Sequence, residues 1–221
     1  MLLVASAIAG VAQPHLGRSA DTPAKTTITV SGHGTVTTVP DRASFDFTVE
    51  SRAQTASDAI ARTSDAAAAV ARAVKDAGVS AADVQTSQIS LNPQTTQDGT
   101  TVIGYAASIT ITAKTGIPKA GAVVDAAVRA GADGVSGPSL SRSDQAALYK
   151  QALANAVAEA KDKASALAGA AGLTLGAVQT IAEGGATPIP VPYAARLDTS
   201  VPIEQGTQTI DATVTVTYSA G

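Results

Sequence analysis

Two hydrophobic rhythms alternate along this chain, one repeating every second residue and one close to every 3.6, and their order sets out the elements. Residues 27–38 (TITVSGHGTVTT) alternate β-branched with small or polar side chains, and Val39-Pro40-Asp41 reads as a turn into residues 43–49, where Phe45, Phe47 and Val49 share a face. That spacing predicts a β-hairpin. From Gln54 to Ala77 the period becomes helical, with Ile60, Ala67, Val70 and Val74 as the apolar stripe, Asp58, Arg62, Asp65, Arg72 and Lys75 facing water, and Gly78 as C-terminal cap. Strand periodicity returns over residues 84–91 and 102–113, where Ile103, Tyr105, Ala107, Ile109 and Ile111 fall on one face. A short helix is expected from Pro118 through Val123, Val124 and Val128 to Gly131, followed by a strand over residues 133–141.

Residues 144–171 are almost unbroken helix formers, with Glu159 and Lys163 spaced for a surface pair and Gly172 as terminator. A helix much longer than the ~11–12-residue average should span a whole sheet. Residues 174–182 predict a strand, and residues 207–218 another, with Ile210, Ala212, Val214, Val216 and Tyr218 alternating against Thr and Asp. The order ββα-ββα-βα-ββ predicts an α+β fold, an α/β sandwich with a mixed, largely antiparallel sheet and helices packed on one face. The first two ββα units have the form of a structural repeat. One domain is expected over residues 26–219.

Ahead of it, Met1 to Ala12 (MLLVASAIAGVA) is apolar and ends in the small-x-small pattern Gly10-Val11-Ala12, as a signal peptide does, although it lacks a basic start. It is shorter than the about 20 residues a membrane span needs, so no transmembrane helix is expected in the mature domain. Residues 13–25 read as a linker. The protein is therefore expected to be exported.

Composition narrows the chemistry. With 15 basic and 18 acidic residues and no basic run longer than two, nucleic-acid binding is not expected. The absence of cysteine removes disulfides, thiolate metal sites and thiol nucleophiles. Aromatic residues make up only 3% of the chain, so the interior must be filled by Ala, Val, Ile and Leu, which suits helices lying close on a sheet.

There are two histidines, His15 in the linker and His33 between Gly32 and Gly34 on the first strand. His33 is the one candidate base or ligand in the folded region, and its glycine neighbours mark a bulge or a close backbone approach instead. Asp41, Asp46 and Glu50 lie near one another in sequence and could form an acid pair, but alternation puts Asp46 and Glu50 on a polar face beside Arg42 and Arg52. No nucleophile elbow, phosphate loop or metalloprotease helix is present, and no cofactor or metal is expected. The segment with the most interaction character is the proline-rich loop 184–206. Its residues Pro188, Ile189, Pro190, Val191, Pro192 and Tyr193 form a stiff apolar strip suited to another chain, to a ligand, or to covering the edge of its own sheet.

The run Ile28-Thr29-Val30-Ser31-Gly32-His33-Gly34, then Val39-Pro40-Asp41-Arg42-Ala43, resembles the start of the SIMPL-domain family. The likeness continues through Asp83-Val84-Gln85-Thr86, Ile103-Gly104-Tyr105-Ala106-Ala107, Ala160-Lys161-Asp162-Lys163-Ala164 and Gly172-Leu173-Thr174-Leu175-Gly176, covering residues 26–219 in order. The resemblance implies an α/β fold and a bacterial periplasmic, outer-membrane-associated or secreted protein. It also implies large ring-like or channel-like homo-oligomers, as at least one member forms, and a link to oxidative-stress tolerance without an established reaction. It supplies no catalytic residue.

Together these readings predict a non-catalytic, exported envelope protein that acts as a homo-oligomer, through the 184–206 loop and exposed strand edges, with peripheral envelope association. The alternative is a monomeric binding module that holds an envelope polymer, peptide or small ligand in a cleft lined by Tyr105, Tyr193 or Tyr218.

Overall fold

The computed structural model of the protein describes residues 26–184, the backbone of Ile189–Pro190 and residues 204–221. In chain order its elements are β1 (Thr27–Thr38), β2 (Arg42–Ala53), α1 (Ala56–Asp76), β3 (Val84–Thr95), β4 (Val102–Gly116), α2 (Ile117–Arg129), β5 (Gly134–Ser141), α3 (Gln145–Ala170), β6 (Leu175–Gly184), the two-residue β7 (Ile189–Pro190) and β8 (Gln208–Ala220). The α+β class and the order of elements agree with the sequence pattern.

The single mixed sheet does not form. The strands make two sheets, ordered β1-β8-β6 and β3-β4-β2-β5, with β7 on β8, and every pairing is antiparallel. The expected hairpin of residues 27–38 with 43–49 is also absent, because β1 pairs with β8 over its whole length while β2 pairs with β4 and β5. With those strands in different sheets, the first ββα unit is no repeat of the second, whose strands β3 and β4 do pair.

Side-chain size explains the separation. The inward face of β1 carries Val30, Gly32 and Gly34, small enough for a helix backbone to lie almost on the strand. The inward face of β2 carries Phe45, Phe47 and Val49, which hold a covering helix a full side chain away. One helical layer cannot sit at both heights. The β2 side is covered by α1 and α2, giving a core of Phe45, Phe47, Val49, Val70, Val74, Ile111 and Val123 with their neighbours. The β1 side is covered by α3, whose Ala152, Ala156, Ala160, Ala164 and Ala168 recur every fourth residue and are all buried. The first four of them pack on Val30, Val214, Val216, Tyr218, Ile210 and Ala212.

Residues 42–141 are thus one unbroken stretch inserted between β1 and α3, and the chain crosses between the sheets at residues 39–41 and 142–144. These crossings are tied together. The Ser143 amide and hydroxyl donate to the Asp41 carboxylate at 2.8 and 2.6 Å, and Arg142 donates to the Val39 carbonyl at 3.1 Å and grips Asp144 through two bonds of 2.8 Å.

The Ser143 bonds, with Arg142 beside them, hold the Asp41 carboxyl below its ordinary value of 3.8. A carboxylate whose pKa is lower in the folded state contributes stability at pH values above the unfolded pKa and loses it as pH falls through the folded one. Asp41→Asn should therefore melt below the wild type near neutral pH, and the gap should close as pH falls well below 3.8. Melting curves by circular dichroism across that range check this, and a gap that stays constant into acid would refute it.

Candidate functional site

His33 stands on β1, exposed, with its ring Nδ1 3.2 Å from the Thr213 hydroxyl of β8. Neither thiol nor second imidazole exists among the described residues, and they contain no group of three or more potential metal ligands. The flanking glycines mark close approach, not a bulge. A Cβ on Gly32 would strike the Ala156 carbonyl, and one on Gly34 the Ala152 carbonyl and the Ala156 nitrogen.

What His33 contributes is its backbone. β1 is an edge strand, and an edge strand leaves a row of peptide groups unpaired. Three side chains of α3, spaced four apart, meet that row. Asn155 donates to the Thr35 carbonyl at 3.2 Å, Glu159 accepts from the His33 amide, and Lys163 donates to the Ser31 carbonyl at 3.1 Å. The His33 amide and Lys163, 3.0 Å away, keep the Glu159 carboxylate below its ordinary pKa. The sequence identifies the Glu159–Lys163 pair but not its work of closing an edge. The signal was available in a polar i, i+4 series running beside the alanine stripe.

The three acids of the first strands do not form a pair. Asp41 is taken up at the crossing, Asp46 accepts from the Thr112 hydroxyl at 2.5 Å, and Glu50 pairs with Arg52 at 3.1 Å. Arg42 pairs instead with Asp83 at 3.5 Å.

Two further strands present a different surface. α3 lies over β1 and β8 and leaves β6 uncovered, although Val178 and Ile181 stand opposite Tyr218 and Val216 on the helix side of the sheet. They are 47% and 56% exposed. In the other sheet, α1 covers β2 and β4 and stops short of β3, leaving Ile89 and Leu91, opposite Ile109 and Ala107, at 64% and 40% exposure. Each sheet thus has one strand whose inward apolar row has no cover among the described residues. Alternation puts Ile89 and Leu91 on one face and the register shift between Val178 and Thr180 brings Val178 and Ile181 to the same side, but only the lateral position of the helices reveals that the core does not extend to them.

The remaining edge, β5, contains Pro138, which cannot donate to a neighbouring strand. Irregular register also marks β3 and β6, so neither offers a clean backbone template, and their side-chain rows are the more usable feature.

Of the proline-rich strip, Pro188, Val191, Pro192 and Tyr193 lie outside the described residues, and Ile189–Pro190 are described only by the pairing of β7 with Thr209 and Gln208 of β8. The leader and linker, residues 1–25, lie outside as well. Of the tyrosines expected at a cleft, Tyr105 and Tyr218 stand in different sheets. Tyr218 is buried in the α3 core, Tyr193 is outside the described residues, and Tyr105 is half-buried on β4 in the other sheet. No described helix is long and apolar enough to cross a membrane.

Residues 28–218 match the SIMPL family, described as a protein of unknown function (DUF541). Over 208 residues the chain is 31% identical to the 26 kDa periplasmic immunogenic protein of Brucella melitensis biotype 1, covering 86% of this chain and 83% of that one. The protein of the same name from Brucella abortus strain S19 matches at the same identity and coverage.

Proposed function

The chain belongs to the SIMPL family, and from that premise we propose that it is exported to the cell envelope and acts there without catalysis, by assembling with copies of itself. The periplasmic description of its relatives supports the location. One observation carries the assembly reading: among the described residues each sheet keeps an inward apolar row uncovered, Val178 and Ile181 on β6 and Ile89 and Leu91 on β3. Burying such side chains is worth about 1.5–3 kcal/mol each for full removal from water, and soluble monomers seldom leave rows of them bare.

The two rows lie in different sheets of one chain, so a contact between β3 of one copy and β6 of the next is head-to-tail. Such contacts close into rings when the rotation permits. The closed β1 edge and the proline in β5 direct assembly to the other two strands.

Light scattering behind size exclusion, or a native mass spectrum, tests this at micromolar concentration. The wild type should be oligomeric, and Ile89→Lys and Ile181→Lys should each give monomers, because a charge on a buried contact must be desolvated. Mixing the two variants should restore dimers and nothing larger, since each retains the half of the contact that the other lacks. A wild type that is strictly monomeric would end the reading.

A further inference from the structure

Beyond assembly, we propose that the cleft where β2 leaves its sheet to enter α1 is a binding site for a sugar chain bearing carboxylates. The cleft is lined by Arg52, Gln54, Asp58, Arg62, Gln94 and Tyr105, with Ile103 beside them, and has a volume of about 490 Å³. That lies within the ~300–1,000 Å³ range of small-molecule sites.

Its construction follows from the register. Ala53, Tyr105 and Pro93 form one row across β2, β4 and β3. Chain departing from Ala53 crosses β4 at Gly104, where a Cβ would stand 2.9 Å from the Ala53 carbonyl. The absence of a side chain there lets the connection into α1 lie close to the sheet. Beyond this crossing β4 has no helix above it among the described residues, so Ile103 is 61% exposed and Tyr105 is only half-buried.

The polar lining groups are largely uncommitted. Arg52 is held by Glu50 at 3.1 Å. The side chains of Gln54, Asp58, Arg62, Gln94 and the Tyr105 hydroxyl make no hydrogen bond among the described residues, and Asp58 and Arg62, one helical turn apart, make no ion pair. An i, i+4 acid–base pair on a helix usually closes on itself.

This inventory matches the chemistry of a sugar. A pyranose offers one face of C–H groups, which an aromatic ring covers, and an equatorial belt of hydroxyls, which planar two-pronged groups such as carboxylate, carboxamide and guanidinium bond in pairs. With Arg52 held by Glu50, the guanidinium left without a partner among the described residues is that of Arg62, and it favours a chain with carboxylates, which guanidinium groups bind bidentately. The ligand is chemically ordinary for an envelope protein, and no covalent step is involved.

The experiment titrates an oligohexuronate, and a neutral oligohexose of equal length, into the full chain by isothermal calorimetry, with two-dimensional NMR locating the shifts. The oligohexuronate should bind more tightly than the neutral sugar, and added salt should reduce the preference. Arg62→Gln at an exposed position, Gln94→Ala at a half-buried one and Tyr105→Ala should each weaken binding roughly tenfold, equivalent to about 1.4 kcal/mol. None of the three should change the oligomer mass, which separates this site from the assembly surfaces. No binding by either sugar, equal affinity for both, or unchanged affinity in all three variants would overturn the proposal.

Discussion

Gly34→Val is expected to destabilise the α3 half of the protein by about 3 kcal/mol, the upper end of the usual overpacking range. The reason is what the new side chain meets. At Gly34 a Cβ falls on the Ala152 carbonyl and the Ala156 nitrogen, both backbone atoms of α3, so no rotamer change relieves the clash. The helix itself must rise off the sheet, and Ala152, Ala156 and Ala160, which lie against Gly32 and Gly34, lose their contact with β1 together. In a chain of this length about 3 kcal/mol lowers the melting temperature by roughly 6–12 °C.

Gly121→Ala supplies the control, because nothing lies within 4 Å of a Cβ at that position in α2. There the substitution should stabilise by about 0.5–1 kcal/mol through helix propensity alone. Thermal denaturation of the two variants beside the wild type decides it. If Gly34→Val melts with the wild type, the close approach of α3 to β1 is wrong.

The same close approach shows where the sequence is legible and where it is not. Element positions can be read because they depend on local periodicity. The inward row Ile210, Ala212, Val214, Val216 and Tyr218 is buried along the whole of β8, and Gly78, Gly131 and Gly172 take positive φ at the ends of α1, α2 and α3. Pairing cannot be read in this way, because a three-residue connection such as Val39-Pro40-Asp41 serves equally as a hairpin turn or as a crossing between sheets. The discriminating clue was the size step from Gly32 and Gly34 to Phe45 and Phe47. Even within α1 the stripe is rotated from the expected one. Ala59 and Thr63 are fully buried and Ile60 only half, since Thr63 can bond the Ala59 carbonyl at 2.8 Å and the Ala107 carbonyl at 3.3 Å.

The candidate surfaces were legible only as faces. That Ile89 and Ile181 point inward follows from alternation, whereas their exposure depends on how far a helix reaches sideways, which periodicity does not encode. The Tyr105 cleft joins residues from β2, α1, β3 and β4, and no local motif marks that meeting.

Phe47→Ala is expected to have the largest effect of any single truncation, about 3–5 kcal/mol. Phe47 is fully buried at the middle of β2, one of the two interior strands of its sheet, with its ring 6.1 Å from that of Phe45 and the α1 and α2 stripes above it. Against a typical total of 5–15 kcal/mol such a loss can unfold what depends on that core. The effect should nevertheless be local. The core beneath α3 shares no buried residue with the one around Phe47, and the inserted stretch 42–141 joins the rest through the two crossings at Asp41 and Arg142–Asp144. Hydrogen exchange read by mass spectrometry should therefore show protection falling in β2, β4 and α1 while β1, β8 and α3 retain theirs, the reverse of the pattern expected for Gly34→Val. Equal loss of protection in both sheets would mean that the two cores unfold as one unit, and the separation argued from side-chain size would then hold for packing but not for stability.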